Sequence, residues 1–137
     1  MTELDRKRLE KVKPELVEKF EILEKAMREE EGDPIKVCGK AVRTAEEQNA
    51  LYMQSRKKPP TGPWATNADG YRKKSDHQAK KDGFGYAIDV CFQGPKPFDL
   101  THKWEAFGRR AKALGLEWGG DWLRKDRPHI ALPGGDV

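Results

Sequence analysis

Three short apolar runs set the limits of what this chain can fold into. Ile35–Val42 (IKVCGKAV), Tyr86–Phe92 (YAIDVCF) and His129–Leu132 (HIAL) are rich in β-branched and other apolar residues, the mark of strands. Helix signals lie between them without a regular strand–helix–strand alternation, which argues against a doubly wound parallel sheet. The pattern predicts an α+β domain, a small antiparallel sheet flanked by helices. A chain of 137 residues has the length of one domain and can bury a core without metal or disulfide staples. Residues 1–137 are therefore expected to form a single unit with no second module.

Spacing and punctuation place the helices. From Pro14 to Glu31, Leu16, Phe20, Leu23 and Met27 recur at intervals of three and four, with Pro14 suited to the first turn and Gly32 to the stop. The outer face of this helix is expected to carry its seven Glu against three Lys+Arg as a solvated surface. Thr44 and Glu47 have capping-box spacing and predict a helix through Gln48, Leu51 and Tyr52. Asp99 is placed to cap a helix containing Trp104, Phe107, Ala111 and Leu114, ended by Gly115. From Arg56 to about Ser75, Pro, Gly, Asn and basic residues predominate, and the segment reads as an irregular loop.

Charge narrows the partners. The chain holds 27 Lys+Arg against 23 Asp+Glu, a net +4. Arg56–Lys81 has eight basic and two acidic residues, net +6, leaving nineteen against twenty-one, net −2, elsewhere. No aromatic-interleaved motif or recognition helix accompanies the basic stretch, so no specific nucleic-acid binding is expected. No apolar run approaches the roughly 20 residues that span a bilayer, and MTELDRKRLE lacks the apolar segment of a secretory leader. The expectation is a monomer made in the cytoplasm, where Cys38 and Cys91 stay reduced as buried core residues.

Only three histidines are present, and each can be weighed singly. His77, Asp89 and His129 offer two imidazoles and a carboxylate, a set that suits Zn2+ in a tetrahedron with one position left for water. Hydrolysis of a peptide also needs a group that accepts a proton and later hands it to the leaving amine. Asp126, three residues before His129, is the candidate. Spacing alone leaves Asp82 as a competitor for Asp89, and a surface or core role as the plain alternative for each histidine. The helical H-E-x-x-H zinc motif is absent, as is the close His-x-Asp pair of a non-haem iron oxygenase.

Ordered motifs add what spacing does not. Ser75-Asp76-His77, Gly85-Tyr86-Ala87-Ile88-Asp89 and Asp126-Arg127-Pro128-His129 resemble the S-x-H, G-x-A-x-D and [D/E]-x-P-H signature of the LAS zinc peptidases. That family comprises D-alanyl-D-alanine carboxypeptidases and dipeptidases and phage L-alanyl-D-glutamate endopeptidases. Arg43-Thr44-x-x-Glu47-Gln48-x-x-Leu51-Tyr52 and Leu116–Trp122 (LEWGGDW) are similar to its short phage and bacterial members, so the resemblance runs from about Lys36 to the C-terminus. One departure is the seven residues Gln78–Phe84 between His77 and Gly85, where the signature has only two.

The resemblance implies a Hedgehog/DD-peptidase-like fold and Zn2+ held by His77, Asp89 and His129. It makes Asp126 the catalytic acid/base, Arg43 the cation that polarises the scissile carbonyl and steadies its oxyanion, and Ser75 a substrate contact. The implied substrate is the peptidoglycan stem peptide, cut by an L-alanyl-D-glutamate endopeptidase that acts as a phage endolysin and reaches the wall through a holin. A D-alanyl-D-alanine carboxypeptidase or dipeptidase is the runner-up, and a non-enzymatic basic binder the competing class. Beside such a site the basic stretch fits attraction to an anionic cell wall. Outside the motifs, His102 is expected on an exposed helix surface, Trp104, Trp118 and Trp122 in the core, and Trp64 nearest to a ligand.

Overall fold

A computed structural model describes residues 1–135. Its helices are Glu3–Arg8 (α1), Pro14–Glu29 (α2), Ala45–Met53 (α3) and Trp104–Ala113 (α4), and its strands Ile35–Val37 (β1), Ala87–Phe92 (β2), Glu117–Trp118 (β3) and His129–Ala131 (β4). The strands form one sheet in the order β1-β2-β4-β3, with every neighbouring pair antiparallel. This is the α+β architecture that the patterning predicts.

Strand alternation gives the sheet two unlike faces. Ile35, Val37, Ile88, Val90, Phe92, Trp118 and Ile130 enter the core, where they meet Leu16, Phe20, Leu23 and Met27 of α2 and Trp104, Phe107 and Ala111 of α4. None of these is more than 4% exposed, and burying each large side chain contributes about 1.5–3 kcal/mol. Asp89 and Cys91 of β2 and His129 of β4 lie on the opposite face. Hydrophobic patterning thus dictates which face is left for chemistry.

Several expectations are corrected. The strand expected over Ile35–Val42 ends at Val37, because Gly39 takes φ +73 and turns the chain out of the sheet. Asp99 does not cap α4; its carboxylate accepts the Thr101 N–H at 2.9 Å, and Asp33 accepts the N–H of Lys103, the residue before the helix, at 3.0 Å. Glu24 is not on a solvated face: it is 5% exposed and pairs with Arg28 at 3.1 Å. His102 is half-buried, with Nδ1 3.0 Å from Asp33 Oδ1 and its ring stacked on Phe92 at 4.4 Å. Cys91 is buried, but Cys38 only half so, and both are free thiols.

Two elements carried no periodic pattern. β3 is two residues long, and α1 six, with its own capping box between Thr2 and Asp5. α1 closes the outer edge of β1: Asp5 Oδ1 accepts the Val37 N–H at 2.9 Å and Arg8 Nη1 donates to the Val37 carbonyl at 3.0 Å. Charged side chains here satisfy what a neighbouring strand would.

Candidate active site

Three segments bring the candidate ligands together. Asp89 and His129 are direct cross-strand partners in the β2–β4 register, so their side chains leave the sheet side by side on the face away from the core. His77 comes from the loop before β2. The Ser75 Oγ accepts its backbone N–H at 3.2 Å, and its carbonyl accepts the Arg43 N–H at 2.8 Å. Its ring Nδ1 lies 3.4 Å from the Ala41 carbonyl, which directs Nε2 toward the other two residues. Gly39 matters here, because the turn it makes delivers Ala41 and Arg43 to His77.

His77 Nε2 is 3.1 Å from His129 Nδ1 and 3.6 Å from Asp89 Oδ1, and the last two are 4.0 Å apart. Donors held about 2.0–2.1 Å from a tetrahedral metal lie about 3.3 Å from one another, so the three atoms surround a space of the right size. Asp89 Oδ1 and His129 Nε2 are buried without a hydrogen-bond partner among the described residues. An orphaned carboxylate oxygen between two imidazoles is costly unless it faces a cation. The donor set therefore fits a divalent metal, and the three residues form a group that could hold one.

Burial sets the protonation states. It pushes His77 down to about 4, helped by the Arg43 charge, and lowers His129, helped by His77. Both imidazoles are then in the neutral, ligating form near neutral pH. Burial raises Asp89, opposed by His129 and Arg43. Partial burial and the neighbouring charge of Asp89 raise Asp126, which suits a group that exchanges protons.

The LEWGGDW segment fixes Asp126. The Trp118 indole N–H donates to the Arg127 carbonyl at 2.8 Å, and the Asp126 N–H to the Gly119 carbonyl at 2.8 Å. A Cβ on Gly119 would lie 2.2 Å from the Asp126 carbonyl oxygen, and one on Gly120 2.2 Å from the Trp118 ring. Both glycines are there for close approach. Asp126 itself keeps access to solvent.

Arg43 is held by two partners: Nη1 donates to Gln48 Oε1 at 3.0 Å, and Nη2 lies 3.4 Å from Asp89 Oδ2. Gln48 is fully buried, and its amide donates to the Ala68 carbonyl at 3.1 Å. Gln78 does the same service one loop away, accepting the Ser75 N–H at 2.9 Å and donating to the Gly70 carbonyl at 3.0 Å. These two glutamines tie the irregular loop to the site. Gln78 was missed in the sequence, where its place directly after His77 was the only sign.

Other candidates fall away or change role. Asp82 is taken by Lys13 at 2.8 Å and by the Tyr86 hydroxyl at 2.6 Å, outside the metal group. Trp122 is not a core residue; it is 43% exposed, with its ring 4.7 Å from that of His129. Trp64 is covered by the Arg124 guanidinium at 3.5 Å. Arg72, Lys73 and Lys74 are exposed, on a turn where Asp69 Oδ1 accepts the N–H groups of Tyr71, Arg72 and Lys73.

Comparison with known proteins fits this geometry. The Bacillus subtilis (strain 168) peptidoglycan L-alanyl-D-glutamate endopeptidase CwlK is 35% identical over 108 residues, 70% of this chain, and the chain spans 59% of that relative's length. The crystal structure of the Serratia marcescens L-Ala D-Glu endopeptidase ChiX has the same fold, with a TM-score of 0.56 at 22% identity over 97% of this chain and 89% of that one. Residues 39–132 match the family described as D-alanyl-D-alanine carboxypeptidase, and that span holds Arg43, His77, Asp89, Asp126 and His129. The chain belongs to this family of peptidases.

Proposed function

We propose that the chain is a zinc-dependent peptidase that cuts the L-alanyl-D-glutamate bond of the peptidoglycan stem peptide. The observation that carries the reading is the convergence of His77, Asp89 and His129, whose ligand atoms lie within 4.8 Å of one another. The names of CwlK and ChiX supply the choice of bond. His77, Asp89 and His129 would hold the ion, and Zn2+ there supplies a Lewis acid and lowers the pKa of a bound water to about 7.

The chain's own residues do the rest. Asp126 accepts a proton as water adds to the scissile carbonyl and delivers it to the departing amine nitrogen. Arg43, anchored by Gln48, faces the negative charge that develops on the carbonyl oxygen. Ser75 holds the His77 N–H with an oxygen lone pair and keeps its hydroxyl hydrogen for the substrate. A lytic role as a phage endolysin, exercised by a monomer on the wall, belongs to the same proposal. Its support is the resemblance to compact phage members and the exposed cations Arg72, Lys73 and Lys74 just before Ser75. Among the described residues no helix is long and apolar enough to cross a membrane.

Digestion of purified muropeptides, with the new termini identified by mass spectrometry, tests the reading. New D-glutamyl amino termini are expected. Release of free D-alanine alone would sink it in favour of a carboxypeptidase. Elemental analysis should find zinc, and Asp126→Ala should abolish cleavage; an active Asp126→Ala protein would undo the assigned acid/base role.

A further inference from the structure

A cleft of about 700 Å3 shares Arg43 with the candidate site and is lined also by Lys7, Lys11, Lys40, Ala79 and Gly83, among others. Besides Lys40–Thr44, two walls enclose it, α1 with the turn after it and the Gln78–Phe84 loop, which is five residues longer than in the family signature. The two walls are fastened to each other, since Asp82 accepts Lys13 Nζ at 2.8 Å and the Lys11 carbonyl accepts the Gly85 N–H at 2.8 Å. The extra loop residues thus build a rigid feature rather than a loose excursion.

The lining carries five cations, counting Arg8, against the single carboxylate of Glu10. Arg8 is committed to the Val37 carbonyl, Arg43 to Gln48 and Asp89, and Lys40 to Glu47 at 2.8 Å. Lys7 and Lys11 have no ion pair among the described residues. Lys11 also takes φ +63, a left-handed conformation in which Gly or Asn would be less strained. A cation at that position, where a relaxed residue would fit, is a functional pointer.

We propose that this cleft binds the carboxylate-bearing part of the peptide substrate beyond the cleaved bond. The inference rests on the peptidoglycan reading for the identity of the ligand. A glutamyl residue brings two carboxyl groups, of which only one continues the chain, so the segment after the cut is anionic. The uncommitted donors are lysines, flexible point charges that attract an anionic group without fixing its orientation. Leu4 and Val42 add apolar lining. That combination, free cations beside apolar surface, suits a peptide chain that carries a carboxylate. Arg43 joins the two sites, because it lines the cleft and reaches Asp89.

The test uses two synthetic peptides containing the L-alanyl-D-glutamate bond, one with free carboxylates beyond the cut and one with those groups amidated. The wild type should show a KM about tenfold lower for the acid, the size of a charge-assisted contact. In Lys7→Gln/Lys11→Asn the two KM values should converge. Asn tolerates the left-handed backbone, so a Tm at or above that of the wild type shows that the fold is kept. Equal KM values in the wild type, or a ratio that survives in the variant, would overturn the proposal. If neither peptide is cleaved, the peptidoglycan reading fails, and binding of the acid peptide followed by NMR still judges the cleft. Shifts at Lys7–Lys11 and Ala79–Gly83 that disappear in the variant support it, and their absence in the wild type overturns it.

Discussion

Arg43 Nη2 lies 3.4 Å from Asp89 Oδ2, while Oδ1 of the same carboxylate faces His77 Nε2 at 3.6 Å. One carboxylate therefore faces a fixed cation on one side and the His77 imidazole on the other. Loss of a donor aimed at developing charge costs about 10²–10³ in kcat. Arg43→Ala is expected to lose activity by about that factor while keeping its metal, as measured by elemental analysis. Metal lost together with activity would make Arg43 a support for Asp89 and not a partner of the substrate.

Metal binding should appear in stability as well as in activity. A ligand at a hundred times its Kd stabilises the folded state by about 2.7 kcal/mol. Chelator-treated protein is expected to gain Tm on addition of Zn2+, and Asp89→Asn and His129→Ala to lose most of that gain. An equal gain in both variants would place the ion elsewhere.

Gly119→Ala tests how the LEWGGDW segment supports catalysis. The new Cβ would meet the Asp126 carbonyl oxygen at 2.2 Å and His129 Cβ at 3.0 Å. Overpacking of this kind costs about 1–3 kcal/mol, and the displaced backbone carries both Asp126 and His129. Gly108→Ala would press on the Trp118 ring at 2.2 Å, in the core. Comparable losses of Tm are expected in the two variants, with kcat falling much further in Gly119→Ala.

Acid should weaken the metal-free protein through His77. Its folded pKa is about 4 against the ordinary 6.5, so between those values the unfolded chain binds more protons. The stability that this residue contributes is present above pH 6.5 and is lost as the pH falls toward about 4. His129 is lowered too and acts in the same direction, whereas the raised carboxyls of Asp89 and Asp126 act in the opposite one. Comparison with His77→Gln isolates the imidazole: its Tm should fall less than that of the wild type over this range.

Reversal of Lys73 and Lys74 to Glu separates wall attraction from chemistry. Both are exposed, two residues and one residue before Ser75. Lysis of whole walls should weaken, most at low ionic strength, where the Debye length is long, and cleavage of a small soluble stem peptide should persist. An equal loss on both substrates would put these lysines in the site itself.

The strands and helices with strong periodicity were legible because burial imposes it: the residues of α2 and β2 expected inside are inside. The grouping of His77, Asp89 and His129 was legible only through motif order, since its members come from a loop and two strands, and residue spacing says nothing about β2–β4 register. Short elements were not legible. α1 and β3 are held by tertiary contacts, and nothing local in Val37 announces that Asp5 and Arg8 will complete its hydrogen bonds. Asp99 misled because Asp33, distant in sequence, reaches the start of α4 first. Trp122 misled because an aromatic residue is usually interior, and here it stands beside the His129 ring.

The closure of Val37 by Asp5 and Arg8 also bears on how the chain behaves in a crowd. An outer strand with free backbone groups is a template on which another copy can add itself. In this protein the stopper is a helix of six residues. A copy that has built its sheet but not yet seated that helix carries an open rung on the β1 edge, so the docking of α1 is what closes this edge to a second copy.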